Sequence, residues 1–527
     1  CFERASGPGG IWRDVAEQDR NKNREENLVV AYNDMWCNTP KELMEFPDYT
    51  FEEHFKSKAV PSFLPRKDFL EYLLARNSTD GALDEVHYNH YVENISSSSS
   101  SFTVQVRDIT TNTLSTHKFD KCVWSGGMNA EPEKPIELLE LLKDFQGKIM
   151  HSCEATENFA DAVKGKHVFL IGDSSSAEDL TLRAIKLGAR KITISSRGGD
   201  GDAYQTGSWP SSTVTVVYGP PYKVSKGKDF TCHAVYWSTK RQKYRKDEEE
   251  ESVKVKDVDV VILCTGYDYD FDNVDMNLRF DPEQEWQISS KTWAMDNNAL
   301  TITLGNVTPS ANLNPGLTCY PDVYRCLLIA NPNMMYLTES QGVETPIIDL
   351  DVDAWLILGY LTGQVEIPKE KDMVKANHKQ LEAEMQCPWF RAEIDEAYAE
   401  ELDDLDDTHW AENPEDERSL KLDLQCAVFM VERLARDALS AKYPVDFGKP
   451  GKLSAIGNRM VDNMLAAGRA RTSLQKSSPD AAWKTFRDAT EGTYVSAYTG
   501  APNAPLPAPW LKLSLDKENP KISSLNA

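Results

Sequence analysis

The chain has 527 residues, 83 acidic against 58 basic side chains, a net charge of −25 and 40% apolar residues. That length exceeds one simple core and predicts about two or three domains; the acidity excludes a general polyanion-binding surface, and so nucleic acid, but leaves room for a local basic pocket. No apolar run is long enough to span a bilayer, and the ten cysteines are scattered without a CxxC pair, which predicts reduced thiols, no metal site and a cytoplasmic setting.

In chain order, Cys1-Phe2-Glu3-Arg4 has the look of the second strand of a dinucleotide unit, ending in an acid. Glu3 would accept hydrogen bonds from an adenosine ribose. Gly9 and Gly10, in the turn at 6–12, would let backbone approach a pyrophosphate, and Trp12 would pack over the cofactor. A chance strand end explains so short a stretch at least as well. The glycine turn that opens such a unit belongs about 20–30 residues upstream of Glu3, and the chain is expected to lack it. Residues 43–69 are aromatic-rich and largely irregular, with a helix over 69–76. Strand-like stretches at 86–92 and 102–108 flank a serine run, 96–101, that reads as a hairpin loop. A further strand over 119–124 ends at Gly126-Gly127.

Residues 168–180, VFLIGDSSSAEDL, carry the clearest local signal. A buried apolar strand runs into a tight turn and then a helix. Gly172 lets the chain turn sharply. Ser174 and Ala177 are small, so a pyrophosphate can approach the backbone and the helix can pack on the sheet. Free N–H groups at the helix start, around Ser174, Ser175 and Ser176, would face phosphates. The loop reads Gly172-Asp-Ser174-Ser-Ser-Ala177, with Ser for the middle glycine of G-x-G-x-x-G/A. The helix stops at Gly188, and 190–196 reads as the next strand, ending at Arg197. An acid there would suit the ribose of NAD; arginine suits the 2′-phosphate of NADP. A surface arginine after a strand is the plainer alternative. The run 241–252 reads as a charged loop and 258–263 as a fully apolar strand. From about 366 onward the pattern is helical and acidic, as in the solvated run 392–407. Strands alternating with helices and glycine turns make the fold class α/β.

Taken in order, these motifs resemble those of flavin-containing monooxygenases, most nearly the bacterial-type trimethylamine monooxygenases. The blocks are CFERASGPGGIW (1–12), MWCNTPKELMEFPDYTFEEHF (35–55), FQGKIMHS (145–152), IGDSSSAED (171–179) and ILCTGYDYDF (262–271), with later matches at 354–363, 485–488 and 508–510. The third is similar to the family's F-x-G-x-x-x-H fingerprint. The resemblance implies two Rossmann-like dinucleotide-binding domains, the NADP domain inserted into the FAD domain. Their expected bounds are 1–160 for the first part of the FAD domain, 161–300 for the NADP domain, 301–440 for the return and 441–527 for a C-terminal extension. It also implies FAD and NADPH as cofactors, with oxygen transfer through a C4a-hydroperoxyflavin to a soft nucleophile. The partners implied are a small amine such as trimethylamine, or a sulfide, and O2, with a homodimer as the assembly and no membrane. By matched position Asn38 lies at the flavin edge as the catalytic amide, with Lys41 and Gln341 also on the FAD side. Lys41 is equally readable as an ordinary solvated lysine. Thr265 and Gly266 join the NADP side and the domain interface, and His151 reads as a residue that holds two segments together rather than one that transfers protons.

The departures from the family pattern are Ala155, where an aromatic is usual, Trp-Ser-Gly at 124–126, Asp272 in place of proline, and the poorly matching stretch 198–230. A Baeyer–Villiger-type enzyme, an uncoupled NADPH oxidase and a non-catalytic NADP-binding remnant are the other readings. The fingerprint lacks the tryptophan usual in Baeyer–Villiger enzymes.

Overall fold

The computed structural model describes residues 1–13, 31–32, 35, 37, 39, 41–56, 64–78, 81–98, 101–127, 131–156, 158–196, 209–233, 235–238, 243–246, 252–281, 320–337, 346–384, 417–475, 496 and 498. Phe2 bridges His87 in parallel, the Glu3 N–H donates to the His87 carbonyl at 3.0 Å, and the His90 N–H donates to the Glu3 carbonyl at 2.9 Å. The opening residues therefore pair as a strand. β1 (His90–Ser97), β2 (Phe102–Asp108) and β3 (Thr113–Phe119) follow as an antiparallel meander. Alternation along β2 buries Phe102, Val104 and Val106. The serine run does turn between β1 and β2. The strand expected over 86–92 instead begins at His90, because the residues before it lie along Cys1–Ala5.

The strand expected over 119–124 is two strands. β3 ends at Phe119, and β4 (Cys122–Trp124) belongs to another sheet. Between them the Lys121 ammonium donates to the Tyr360 carbonyl at 2.7 Å, which pins the crossing. β4 pairs in parallel with β19 (Met334–Tyr336), Cys122 opposite Met334 and Trp124 opposite Tyr336. The second unit lies in sequence between these two paired strands, so it is an insertion into the first.

That second unit is built on a parallel sheet of β6 (Lys148–His151), β7 (His167–Ile171), β8 (Lys191–Ser196), β9 (Val214–Tyr218) and β15 (Val260–Leu263), in the order β6-β15-β7-β8-β9. Every side chain of β7 and β15 is buried, as expected of parallel strands covered on both faces. Val168, Leu170, Ile192 and Ile262 pack on one face against Ala177, Leu180 and Ala184 of the helix Ser175–Lys186. Phe169, Ile171, Val261 and Leu263 pack on the other against Phe145, Phe230 and Val255. The last two come from an antiparallel layer of β10 (Pro221–Ser225), β11 (Asp229–Cys232) and β14 (Val253–Val255). The strand β6 precedes residue 161, so the sheet reaches upstream of the boundary expected there.

The 175–186 helix ends as the sequence predicts. Gly188 takes φ 82°, its N–H donates to the Ile185 carbonyl at 3.0 Å, and the Ala189 N–H donates to the Ala184 carbonyl at 2.9 Å. The charged run 241–252 is not simply a loop. Lys243–Lys246 is β13, paired antiparallel with β12 (Val235–Ser238). Backbone pairing needs no apolar side chain, so a hairpin strand can carry a run of charge.

β17 (Val323–Tyr324) and β18 (Leu327–Leu328) are joined by Arg325 and Cys326, with φ of 45° and 71°. Such a turn favours glycine or asparagine, so its surroundings must hold it. Asp437 pairs with both Arg325 and Arg436, and Arg433 pairs with Asp349 at 2.6 Å. Asp349, Arg433, Arg436 and Asp437 sit on the helices Pro346–Thr362 and Glu417–Ala441, which pack with Ala455–Gln475 around Leu43, Ile348, Val431, Phe447 and Met464. Among the described residues no helix is long and apolar enough to cross a membrane, and no group of three or more His, Cys, Asp or Glu could hold a metal.

Candidate active site at two strand edges

The strand order places a crevice. From β7 the chain proceeds outward through β8 and β9, whereas β15 and β6 lie on its other side. The C-terminal ends of β7 and β15 therefore flank a topological switch point, where open α/β sheets bind ligands. Gly172 stands there with φ 108°, and a Cβ on it would lie 2.2 Å from the Cys264 carbonyl oxygen. The Gly172 N–H donates to the Ser195 carbonyl at 3.0 Å and the Cys264 N–H to that of Ile171 at 2.9 Å. Glycine is required by the neighbouring strand end as well as by the turn.

The remaining loop residues divide their work. Ser174 caps the helix through its carbonyl, which accepts from the Ala177 and Glu178 N–H groups at 2.8 and 3.1 Å, and its side chain makes no capping bond. Ser174 and Ser175 are exposed. The N–H groups of Ser175 and Ser176 start the helix and so have no intrahelical acceptor. Ala177 is buried against the sheet, which is the packing reason for a small residue. The Ser196 hydroxyl, at the end of β8, donates to the Asp173 carboxylate.

Thr265 and Gly266 are stapled to the other unit. The Thr265 hydroxyl donates to the Glu133 carbonyl, and the Glu133 N–H donates to the Gly266 carbonyl at 3.0 Å. β5 (Glu131–Pro132) and β16 (Tyr267–Asp268) extend that contact. The Gly266 carbonyl also accepts from Nε2 of fully buried His151 at 3.2 Å, and His151 Nδ1 accepts from the Cys153 N–H at 3.3 Å. Those two bonds fix a neutral imidazole with its proton on Nε2. Burial, helped by the Lys134 charge, pushes the His151 pKa down to about 4. The geometry makes His151 a clasp between segments. The fingerprint glycine before it has a local cause: a Cβ on Gly147 would lie 2.3 Å from the Phe145 ring and 2.4 Å from the Asp259 carbonyl. At Ala155, Arg183 donates to the backbone carbonyl at 2.6 Å while its guanidinium lies 4.9 Å from the Phe159 ring centre.

At the other edge, one Glu3 carboxylate oxygen accepts from the Ala5 N–H at 2.7 Å. Gly9 has φ 119° and a Cβ there would lie 2.7 Å from Leu70 of the helix Arg66–Ser78, whereas Gly10, at φ 51°, would meet nothing within 4 Å among the described residues. Gly9 answers to that helix, and Gly10 leaves an open face. Trp12 packs edge-on against Phe69 at 4.8 Å.

Lys41 corrects the reading of a solvated lysine. It is 1% exposed, pairs with buried Glu42, and lies in a short turn under the 346–362 and 455–475 helices. Asn38, Arg197 and Gln341 lie outside the described residues, as do the run 392–407 and the matches at 485–488 and 508–510. Asn38 has described neighbours on both sides: the Cys37 N–H donates to the Leu64 carbonyl at 2.8 Å, and Lys41 is buried.

Sequence reasoning missed Glu45. Its carboxylate accepts from the Phe51 N–H at 3.0 Å and from the Ser496 hydroxyl, and burial pushes its pKa up to about 7. The signal was an acid inside Leu-Met-Glu-Phe (43–46). A carboxyl raised in the folded state stabilises the fold below its unfolded pKa and loses that contribution as pH rises through the folded value. Stability is expected to fall between about pH 5 and 8 through this group, with Glu45→Gln flattening the slope in urea titrations across that range. An unchanged slope would exclude Glu45 as the source.

Comparison with known proteins agrees with this geometry. Residues 1–210 match the family model described as FMO-like, Flavin-binding monooxygenase-like. Trimethylamine monooxygenase of Pelagibacter ubique strain HTCC1002 is 34% identical over 197 residues, 37% of this chain and 43% of that protein. Human flavin-containing monooxygenase 3 is 27% identical over 217 residues, 41% of this chain and 37% of that protein. The matches thus span less than half the length of these curated relatives. The crystal structure of Tmm from Pelagibacter sp. strain HTCC7211 superposes with a TM-score of 0.66 at 22% identity, covering 97% of this chain and 90% of that one. The fold is that of a flavin-monooxygenase-like α/β protein with two Rossmann-like domains, one inserted into the other. Within that class the chain resembles the trimethylamine monooxygenases, as the motifs indicated.

Proposed function

We propose that the chain is an NADPH- and O2-dependent flavin monooxygenase that oxygenates a soft nucleophile, either the nitrogen of a small tertiary amine such as trimethylamine or a sulfur. The observation that carries this reading is the pairing of two dinucleotide edges in one nested fold. One is the switch point at Gly172 and Cys264; the other is the acid-ended strand at Glu3 with the open face of Gly10. The cofactors are FAD and NADPH. The residues fit them: a glycine turn that a Cβ would fill, exposed Ser174 and Ser175 at a helix start, and a strand-end carboxylate beside a side-chain-free turn.

Bound FAD, reduced by NADPH, supplies the activation of O2 and the delivery of one oxygen atom. The protein binds and orients. Glu3 holds the adenosine ribose of FAD, with Gly9, Gly10 and Trp12 shaping that pocket. Ser174, Ser175, Ser176 and Arg197 hold the phosphates of NADPH. Asn38 presents an uncharged donor and acceptor at the flavin edge, where a charge would be costly once water is excluded. Lys41 and Glu42, a neutral pair in sum, are buried in the same sequence block. The bonds of Thr265 and Gly266 to Glu133 set the NADP unit against the FAD unit, and His151 clasps Gly266 to the end of β6. The domain division follows the bounds given above, with Lys148–His151 contributing to the NADP sheet. A cytoplasmic setting with reduced thiols belongs to the same reading, from the scattered cysteines without a CxxC pair.

The test of the NADP side is Arg197→Ala. Loss of a charge-assisted phosphate contact is worth about 1.5–3 kcal/mol, so KM for NADPH should rise about 10- to 150-fold while that for NADH changes little. Equal changes for both cofactors would refute the role.

A further inference from the structure

The geometry points to Asp173 as a second residue that determines which nicotinamide cofactor this site accepts. The inference rests on the nucleotide-binding reading of the Gly172 edge. Rossmann units specific for NAD carry an acid at the end of the second strand, where its carboxylate accepts from the ribose 2′-hydroxyl. Here the corresponding strand is β8, and it ends in serine, Ser195-Ser196, with no acid of its own. An acid nevertheless reaches that place. Asp173 leaves the turn directly after Gly172, and the Ser196 hydroxyl at the end of β8 donates to its Oδ2. Among the described residues Oδ1 takes no hydrogen bond.

Two facts hold the carboxylate there. Gly172 and Cys264 fix the start of the turn, because the Gly172 N–H is bonded to Ser195 and no Cβ fits against Cys264. Ser196 is fully buried, so its hydroxyl is a rigid donor. A half-exposed carboxylate with one oxygen anchored and one oxygen open is the arrangement that accepts from a ribose hydroxyl. The same negative charge opposes a 2′-phosphate. Asp173 therefore works against Arg197. The arginine draws in the phosphate of NADPH and the carboxylate draws in the 2′-hydroxyl of NADH, so the site should bind both cofactors with weak discrimination.

The test measures binding to the purified full-length protein by calorimetry, with 2′,5′-ADP and 5′-ADP as probes, so that it depends on neither flavin content nor turnover. Wild-type protein should bind both probes within about a factor of ten of each other. Asp173→Asn keeps the size and the Ser196 bond but removes the charge. It should shift the affinity ratio about tenfold toward 2′,5′-ADP, and the KM ratio of NADPH to NADH should move the same way. Ser196→Ala, which frees the carboxylate without removing it, should weaken 5′-ADP alone. An acid that serves only the helix start would lower the melting temperature of Asp173→Asn and leave the ratio unchanged, and that result overturns the proposal. Wild-type protein that binds neither probe defeats the nucleotide reading itself, and the proposal with it.

Discussion

Gly172→Ala is expected to unfold the nucleotide edge and to abolish adenine-nucleotide binding. Two independent penalties meet at this position. The backbone stands at φ 108°, where side chains other than glycine are strained. The added Cβ would also fall 2.2 Å from the Cys264 carbonyl oxygen, a backbone atom that cannot rotate away. Relief would require moving the end of β15, yet the Cys264 N–H is bonded to Ile171 at 2.9 Å and β15 pairs with both β6 and β7. Strain and overpacking together amount to about 2–5 kcal/mol, enough to lower the melting temperature by many degrees. Gly10→Ala is the control: it shares a positive φ, 51°, but its Cβ would meet nothing within 4 Å among the described residues. Thermal unfolding and titration with 2′,5′-ADP measure both. A Gly172→Ala protein that melts and binds like wild type would contradict the stitched strand ends.

Asp437→Ala is expected to cost a similar amount for an electrostatic reason. Asp437 is buried and pairs with Arg325 and Arg436, the latter at 3.0 Å, while Arg433 is neutralised by Asp349 at 2.6 Å. Removing the acid leaves the largely buried guanidinium groups of Arg325 and Arg436 without their shared partner, which costs up to about 3–5 kcal/mol. Arg325 is also half of the left-handed turn between β17 and β18, so the turn loses its anchor. The pH dependence has a definite sign. The neighbouring arginines hold the Asp437 carboxyl well below the usual carboxylate range. Its contribution is present above the ordinary aspartate pKa of about 3.9 and is lost as pH falls below it. Wild-type protein should therefore lose stability on acidification below about pH 4, and Asp437→Ala should lose less of it there. A variant as stable as wild type at pH 7 would show that the network relaxes without the acid.

The inserted unit was the part most legible in the sequence, and for a physical reason. Strands buried on both faces read as unbroken apolar runs, so β7 and β15 stand out, and Gly172 and Gly188 punctuate the turn and the helix end. Elements without an unbroken apolar run were harder to read. β13 looked like a charged loop because its lysines and arginine contribute backbone pairing, and the break between β3 and β4 was hidden in a continuous strand-like stretch. At the candidate site the separation is sharper. Glycine positions could be read because their geometry is local. The burial of Lys41, Glu42 and Glu45 could not, because helices from far along the chain and Ser496 cover them. Nothing in a Lys-Glu dipeptide distinguishes a solvated pair from a buried one. The roles of Asn38 and Gln341 rest on motif resemblance and that of Arg197 on its place after the second strand of the unit, and that is where experiment has most to add.

The central claim is tested most directly by a product balance on the full-length protein. The flavin that copurifies is quantified from its visible absorbance, and NADPH consumed, trimethylamine N-oxide formed and hydrogen peroxide released are then followed together in air-saturated buffer. The account predicts bound flavin, NADPH oxidation that depends on O2, and N-oxide formed close to one for one with NADPH consumed. No bound flavin, or NADPH loss matched only by peroxide with neither amine nor sulfide oxygenated, would contradict it.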